Sequence, residues 1–235
     1  GGGTPQELAV LCDRAPSGAG RHSQLWDGLR GAAAFFRSLA GGAGPAPLWQ
    51  GGAYAPGVQR LQVEHYGQWG TRKLLGLLGF RDPPAEAKEL AMQLLAADSG
   101  TTGMRCGSCA MMYCIRAIDG CTVLEGCSCH HARPDSKLSC ERSAAAATRQ
   151  PLRAAQLLVG RATDRRCCAE FLALGHLCEQ LGGRWGAGAA PARAALRGSV
   201  LLHALAPPCI SCVGAAQQFQ LLFGEVRVSV SFEEE

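Results

Sequence analysis

Polar and apolar positions alternate without error over Glu225–Phe232. Val226, Val228, Val230 and Phe232 fall on one face, with Glu225, Arg227, Ser229 and Ser231 on the other. Period two is the side-chain repeat of a strand that buries one face. A lone strand is not stable in water, so this tail requires a partner. Val58–His65, which alternates weakly, and Thr122–Leu124 are the intramolecular partners expected, with a neighbouring subunit as the alternative.

Elsewhere the spacing is helical. From Ser23, an N-cap residue, Leu25, Leu29, Ala33, Phe36 and Ala40 recur every three to four positions until Gly41-Gly42. A short helical stretch at Thr71–Phe80 is broken by Asp82-Pro83-Pro84. Pro84 suits the first turn of a helix running to about Ala97, with Ala87, Leu90 and Leu94 on one face. Ser143–Gly160 is Ala/Leu-rich and interrupted by Pro151. Asp164 caps Arg165–Leu181, whose stripe Cys167, Phe171, Leu174, Cys178 and Leu181 predicts a core face before Gly182-Gly183. Pro191–Leu205 repeats the helical pattern up to Pro207-Pro208, and Cys212–Phe223 reads as a last helix.

The resulting expectation is a helix-rich α+β protein, with a small sheet that includes the C-terminal strand and a cysteine-pinned irregular central segment. Its parts are a flexible arm (1–22), a helical N-terminal part (23–100), the cysteine-rich segment (101–141) and a helical C-terminal part ending in a strand (142–235). No run of apolar residues is long enough to span a bilayer. The +4 net charge is spread along the chain, which does not support wholesale nucleic-acid binding. Twenty Arg stand beside three Lys, three Ile and no Asn, a skew that fits GC-rich coding and removes every N-glycosylation acceptor. The opening Gly1-Gly2-Gly3 without Met suggests a processed product or a fragment.

Cysteine changes the picture most. Seven of thirteen lie in the 35 residues from Cys106 to Cys140, namely Cys106, Cys109, Cys114, Cys121, Cys127, Cys129 and Cys140. His130 and His131 sit among them. Such density implies cross-linking by sulfur or by metal. Two Cys-x-x-Cys pairs, Cys106/Cys109 and Cys209/Cys212, are candidate halves of a four-cysteine zinc site, since two intervening residues let both sulfurs reach one ion. Cys127, Cys129, His130 and His131 are further candidate ligands. The competing reading is disulfides among Cys106, Cys109, Cys114, Cys121, Cys127, Cys129, Cys140, Cys168 and Cys178; the odd total leaves at least one thiol over.

Cys168 and Cys178 enclose nine residues, which resembles half of the twin CX9C motif of small intermembrane-space proteins; a second CX9C is absent. Leu61–Thr71, ending Gly67-Gln-Trp-Gly-Thr, resembles the opening of scavenger receptor cysteine-rich domains, but Arg72–Phe80 lacks the cysteines expected next. Phosphate-cradling, dinucleotide and nucleophile-elbow motifs are missing. The expected function is a non-enzymatic structural or interaction subunit of a larger assembly, stabilised by disulfides or zinc, with other protein subunits as partners. An organellar lumen or matrix is the expected setting, and secretion the alternative. A zinc-binding module contacting protein or nucleic acid is the second reading, and a thiol–disulfide oxidoreductase using a Cys-x-x-Cys pair the third.

Overall fold

The computed structural model describes residues 67–98, 107–132, 152, 157–159, 161–163, 167–185 and 196–233. The architecture is α+β. Among these residues are four helices, α1 (Gly67–Leu78), α2 (Ala85–Asp98), α3 (Ala169–Trp185) and α4 (Ile210–Leu222). The strands are β1 (Ser108–Ala117), β2 (Thr122–His131), β3 (Leu157–Val159), β4 (Arg161–Thr163), β5 (Leu196–Ala204) and β6 (Val226–Phe232). Four of them form one mixed sheet in the order β2-β1-β5-β6, while β3 and β4 pair separately.

The cysteine-rich segment, expected as irregular chain, is regular over this span: β1 and β2 form an antiparallel hairpin with Met112 opposite Cys127. Its turn uses Asp119-Gly120. Gly120 takes φ +86°, and the Asp119 carboxylate accepts a 3.0 Å bond from the Cys121 amide.

β1 also pairs antiparallel with β5, and β5 pairs parallel with β6, placing Leu202 beside Val230 and Ala204 beside Phe232. The tail is therefore the strand its alternation predicted. Among the described residues its partner is not the expected Thr122–Leu124. Thr122–Leu124 lies in β2 at the opposite edge of the sheet, and Val58–His65 lies outside the described residues. The partner is β5, within a stretch whose sequence reads as helix. Val200–Ala206 is apolar except for the buried His203, because a central strand is covered on both faces, and such a run lacks the alternation of a half-exposed strand.

Pleating divides the core. Cys109, Met111 and Ile115 of β1 and Val200, Leu202 and Ala204 of β5 join one large cluster with α1, α3 and α4. Ala110 and Leu201, on the other face, pack with Ala91 and Leu95 of α2. On α2 the expected face is displaced: Leu90 is 50% exposed, and the buried residues are Ala91 and Leu95.

The expected stripe is buried at Cys167, just before α3, and at Phe171, Leu174, Cys178 and Leu181 on it, although the helix continues through Gly182-Gly183 to Trp185. Leu157–Val159, expected in a helix, is a strand. The helix expected from Ser23 lies outside the described residues. α4 buries every residue from Ile210 to Gln217, as a helix enclosed on all sides must.

Gly198 admits no side chain. Its φ is +147°, and an added Cβ would stand 2.1 Å from the Cys114 carbonyl oxygen. Gly198→Ala should therefore cost more than the loss of a single core contact. Leu174→Ala should cost roughly 2–5 kcal/mol in denaturant unfolding, against under about 0.5 for Leu90→Ala. Equal midpoints for the two leucine variants would contradict this packing.

Candidate metal centre

Two helix N-termini meet over the large core. Cys168 immediately precedes α3, and its carbonyl accepts the Leu172 amide at 3.0 Å. Cys209 is the N-cap of α4, with φ −66° and ψ 159°, and its carbonyl accepts the Val213 amide at 3.0 Å. Its side chain forms no cap hydrogen bond, so the sulfur is not spent on the helix end. Pro207-Pro208 fixes the approach to α4, and one turn in, Cys212 faces back towards Cys209.

The sulfurs of Cys168, Cys209 and Cys212 all lie within 4.8 Å of one another. The Cys209 thiol donates to the Cys212 sulfur at 3.5 Å. Thiolates held tetrahedrally at about 2.3 Å from zinc stand about 3.8 Å apart, so the set fits that ion. Glu170, in the first turn of α3, accepts a 3.3 Å contact from the Cys212 thiol. Cys209 and Cys212 are buried, whereas Cys168 is half-buried.

Without a cation this is an unfavourable place for negative charge. Hydrogen bonds with Cys168 and Cys209, then burial, then the charges of Cys209 and Glu170 push the Cys212 thiol well above its ordinary value. A divalent cation reverses that balance, because each thiolate gains a ligand bond and the helix N-termini favour the anionic form.

The sequence candidates sort clearly against this geometry. Cys209 and Cys212 are brought together, but their third sulfur comes from Cys168, expected only as a disulfide partner. Cys106 lies outside the described residues. Cys109 is buried in β1, where burial, then Glu170 and then Cys129 raise its thiol.

Cys127, Cys129, His130 and His131 do not converge. Strand pleating turns His130 and His131 to opposite faces. The His131 Nδ1 is 2.8 Å from Ser108 Oγ and its Nε2 is 2.6 Å from Asp98. The His130 Nε2 is 2.9 Å from Ser128 Oγ, and burial, then His176 and His131, lower its pKa.

None of the ten described cysteines is in a disulfide; Cys140 lies outside the described residues. Cys168 and Cys178, ten residues apart along a helical rise, are separated by about 15 Å, far beyond disulfide reach. Glu170 was missed from sequence. The available signal was Cys168-Ala169-Glu170 followed by Pro208-Cys209-Ile210-Ser211-Cys212. No known family, curated protein or solved structure matches the chain.

Metal-free protein should lose stability as pH rises. A thiol whose folded pKa is raised contributes fully below its unfolded value, about 8.5, and that contribution is lost as pH climbs towards the folded value. Thermal melts with chelator should fall above that pH, while melts with zinc should hold. Parallel curves with and without zinc would count against the site.

Proposed function

We propose that the chain is a zinc-dependent hydrolase that deaminates an amino-substituted nucleobase. The observation that carries this reading is the convergence of Cys168, Cys209 and Cys212 with Glu170 beside them. Three protein ligands and an open fourth position are the pattern of catalytic zinc, whereas structural sites are closed by four. Zinc in such a site supplies a Lewis-acid centre that lowers the pKa of a bound water.

The order of residues supports the reaction class. Nucleobase deaminases use a ligand-x-Glu element followed by Pro-Cys-x-x-Cys, with a three-cysteine variant, and their Glu shuttles protons without binding the metal. Cys168-Ala169-Glu170 and Pro208–Cys212 reproduce that order. Glu170 would take one proton from water and pass it to the ring nitrogen, then move the remaining hydroxyl proton of the adduct to the departing amine. Water adds to the amidine carbon, the carbon–nitrogen bond breaks, and the products are the ring carbonyl and ammonia.

A specific contact favours a second reading. The Glu170 carboxylate, 3.3 Å from the Cys212 sulfur, is placed to close a structural four-ligand site, which suits the interaction subunit expected from sequence. The oxidoreductase reading has less support, because a buried thiol with a raised pKa is a poor nucleophile.

Purified full-length chain should carry one zinc and release ammonia from cytidine, adenosine or their nucleotides. Glu170→Gln should keep the zinc and lose turnover by about 10²–10⁴-fold. Cys212→Ser should lose the metal. Loss of zinc in Glu170→Gln, with no deamination by the wild type, would instead favour the closed structural site.

A further inference from the structure

A second feature lies at the same end of the sheet as the metal centre. β5 and β6 are parallel and in register at Ala204 and Phe232. The turn to Cys209 leaves the C-terminal end of β5, and a cavity of about 280 Å³ opens beside the C-terminal end of β6. Adjacent strands are about 4.8 Å apart, so the two features occupy neighbouring positions along the edge where open sheets bind ligands.

The cavity is lined by Arg72, Arg81 and Lys88 against one carboxylate, Asp82, with Ser231 and Phe232 on the strand side. Three cations and one carboxylate leave two positive charges in excess. Among the described residues, neither Arg81 nor Lys88 forms an ion pair.

These groups are held in place. The Arg81 backbone bridges to Ser229 of β6, and the Arg72 guanidinium lies 5.6 Å above the centre of the Phe232 ring. The Ser231 hydroxyl is fixed from behind by a 2.8 Å hydrogen bond to Nδ1 of the fully buried His203. The volume is below the roughly 300–1,000 Å³ of pockets that enclose whole small ligands, yet many times the roughly 30 Å³ of one water. That is room for a tetrahedral oxyanion, and its charge matches the excess.

We infer that this cavity binds the phosphate group of the substrate, as a monoester or a diester. The inference rests on the deaminase reading for the word substrate; the oxyanion site itself stands on the cavity and its charges.

Equilibrium dialysis of the full chain with labelled inorganic phosphate at low salt tests it without any turnover. Wild type should bind. The Arg81→Gln/Lys88→Gln variant, altered only at the protein surface and the cavity wall, should bind at least about tenfold more weakly. Lys73→Gln, whose ammonium lies over Trp69 outside the cavity, should be unchanged. Displacement of phosphate by cytidine monophosphate assigns the cavity to a monoester, and displacement only by an oligodeoxycytidylate assigns it to a diester. No binding by wild type, equal binding by the double variant, or displacement by neither competitor would overturn the proposal. Failure of ammonia release with phosphate binding intact would count against the deaminase reading alone.

Discussion

The parallel pairing of β5 with β6 is the constraint from which the rest of the site follows. Parallel neighbours cannot be joined by a tight turn, so the chain must cross back over one face of the sheet. α4 makes that crossing. Packed against the sheet, α1 and α3, it buries residues on all sides from Ile210 to Gln217. Because its N-terminus stands just past the end of β5, Cys209 and Cys212 are delivered to the sheet edge at fixed positions. α3 packs beside α4 and brings Cys168 and Glu170 to the same place. The pairing of β5 with β6 therefore sets where Cys168, Glu170, Cys209 and Cys212 meet.

That meeting is electrostatically costly without a cation. Three sulfurs and a carboxylate crowd into a largely buried volume, and Cys212 responds by holding its proton. Two helix N-termini point at the cluster and favour negative charge only partially, since their effect is that of fractional charges. A bound divalent ion resolves the conflict by stabilising every thiolate at once. Metal binding and proton release would then be one event, and the site's stability would be tied to the metal.

Much of the fold was legible in local pattern. The alternation of Val226–Phe232, the stripe on α3 and the Pro84 start of α2 each follow from one-element periodicity, and each is present. What failed were the statements that depend on a neighbour. Leu196–Ala204 reads as helix because β5 is covered on both faces, so its apolar run carries no period two. With β5 read as helix, the βαβ unit formed by β5, α4 and β6 is not legible, and Cys209 and Cys212 stand in the sequence only as a Cys-x-x-Cys pair. Among the described residues, the cysteines of β1 and β2 do not belong to the cluster of three sulfurs. Those side chains alternate across a hairpin, whereas Cys168 and Cys212, more than forty residues apart, share a site through tertiary packing. Glu170, an ordinary first-turn acid on α3, gains its meaning only beside Cys212.

The central claim is that three thiolates hold a zinc whose fourth position stays open. X-ray absorption at the zinc edge of the native full-length protein tests it most directly. The account predicts three sulfur scatterers at about 2.3 Å and one light scatterer at about 2.0 Å that a small competing anion replaces. Four sulfurs around zinc, or native protein that carries no zinc and takes none up, would contradict it.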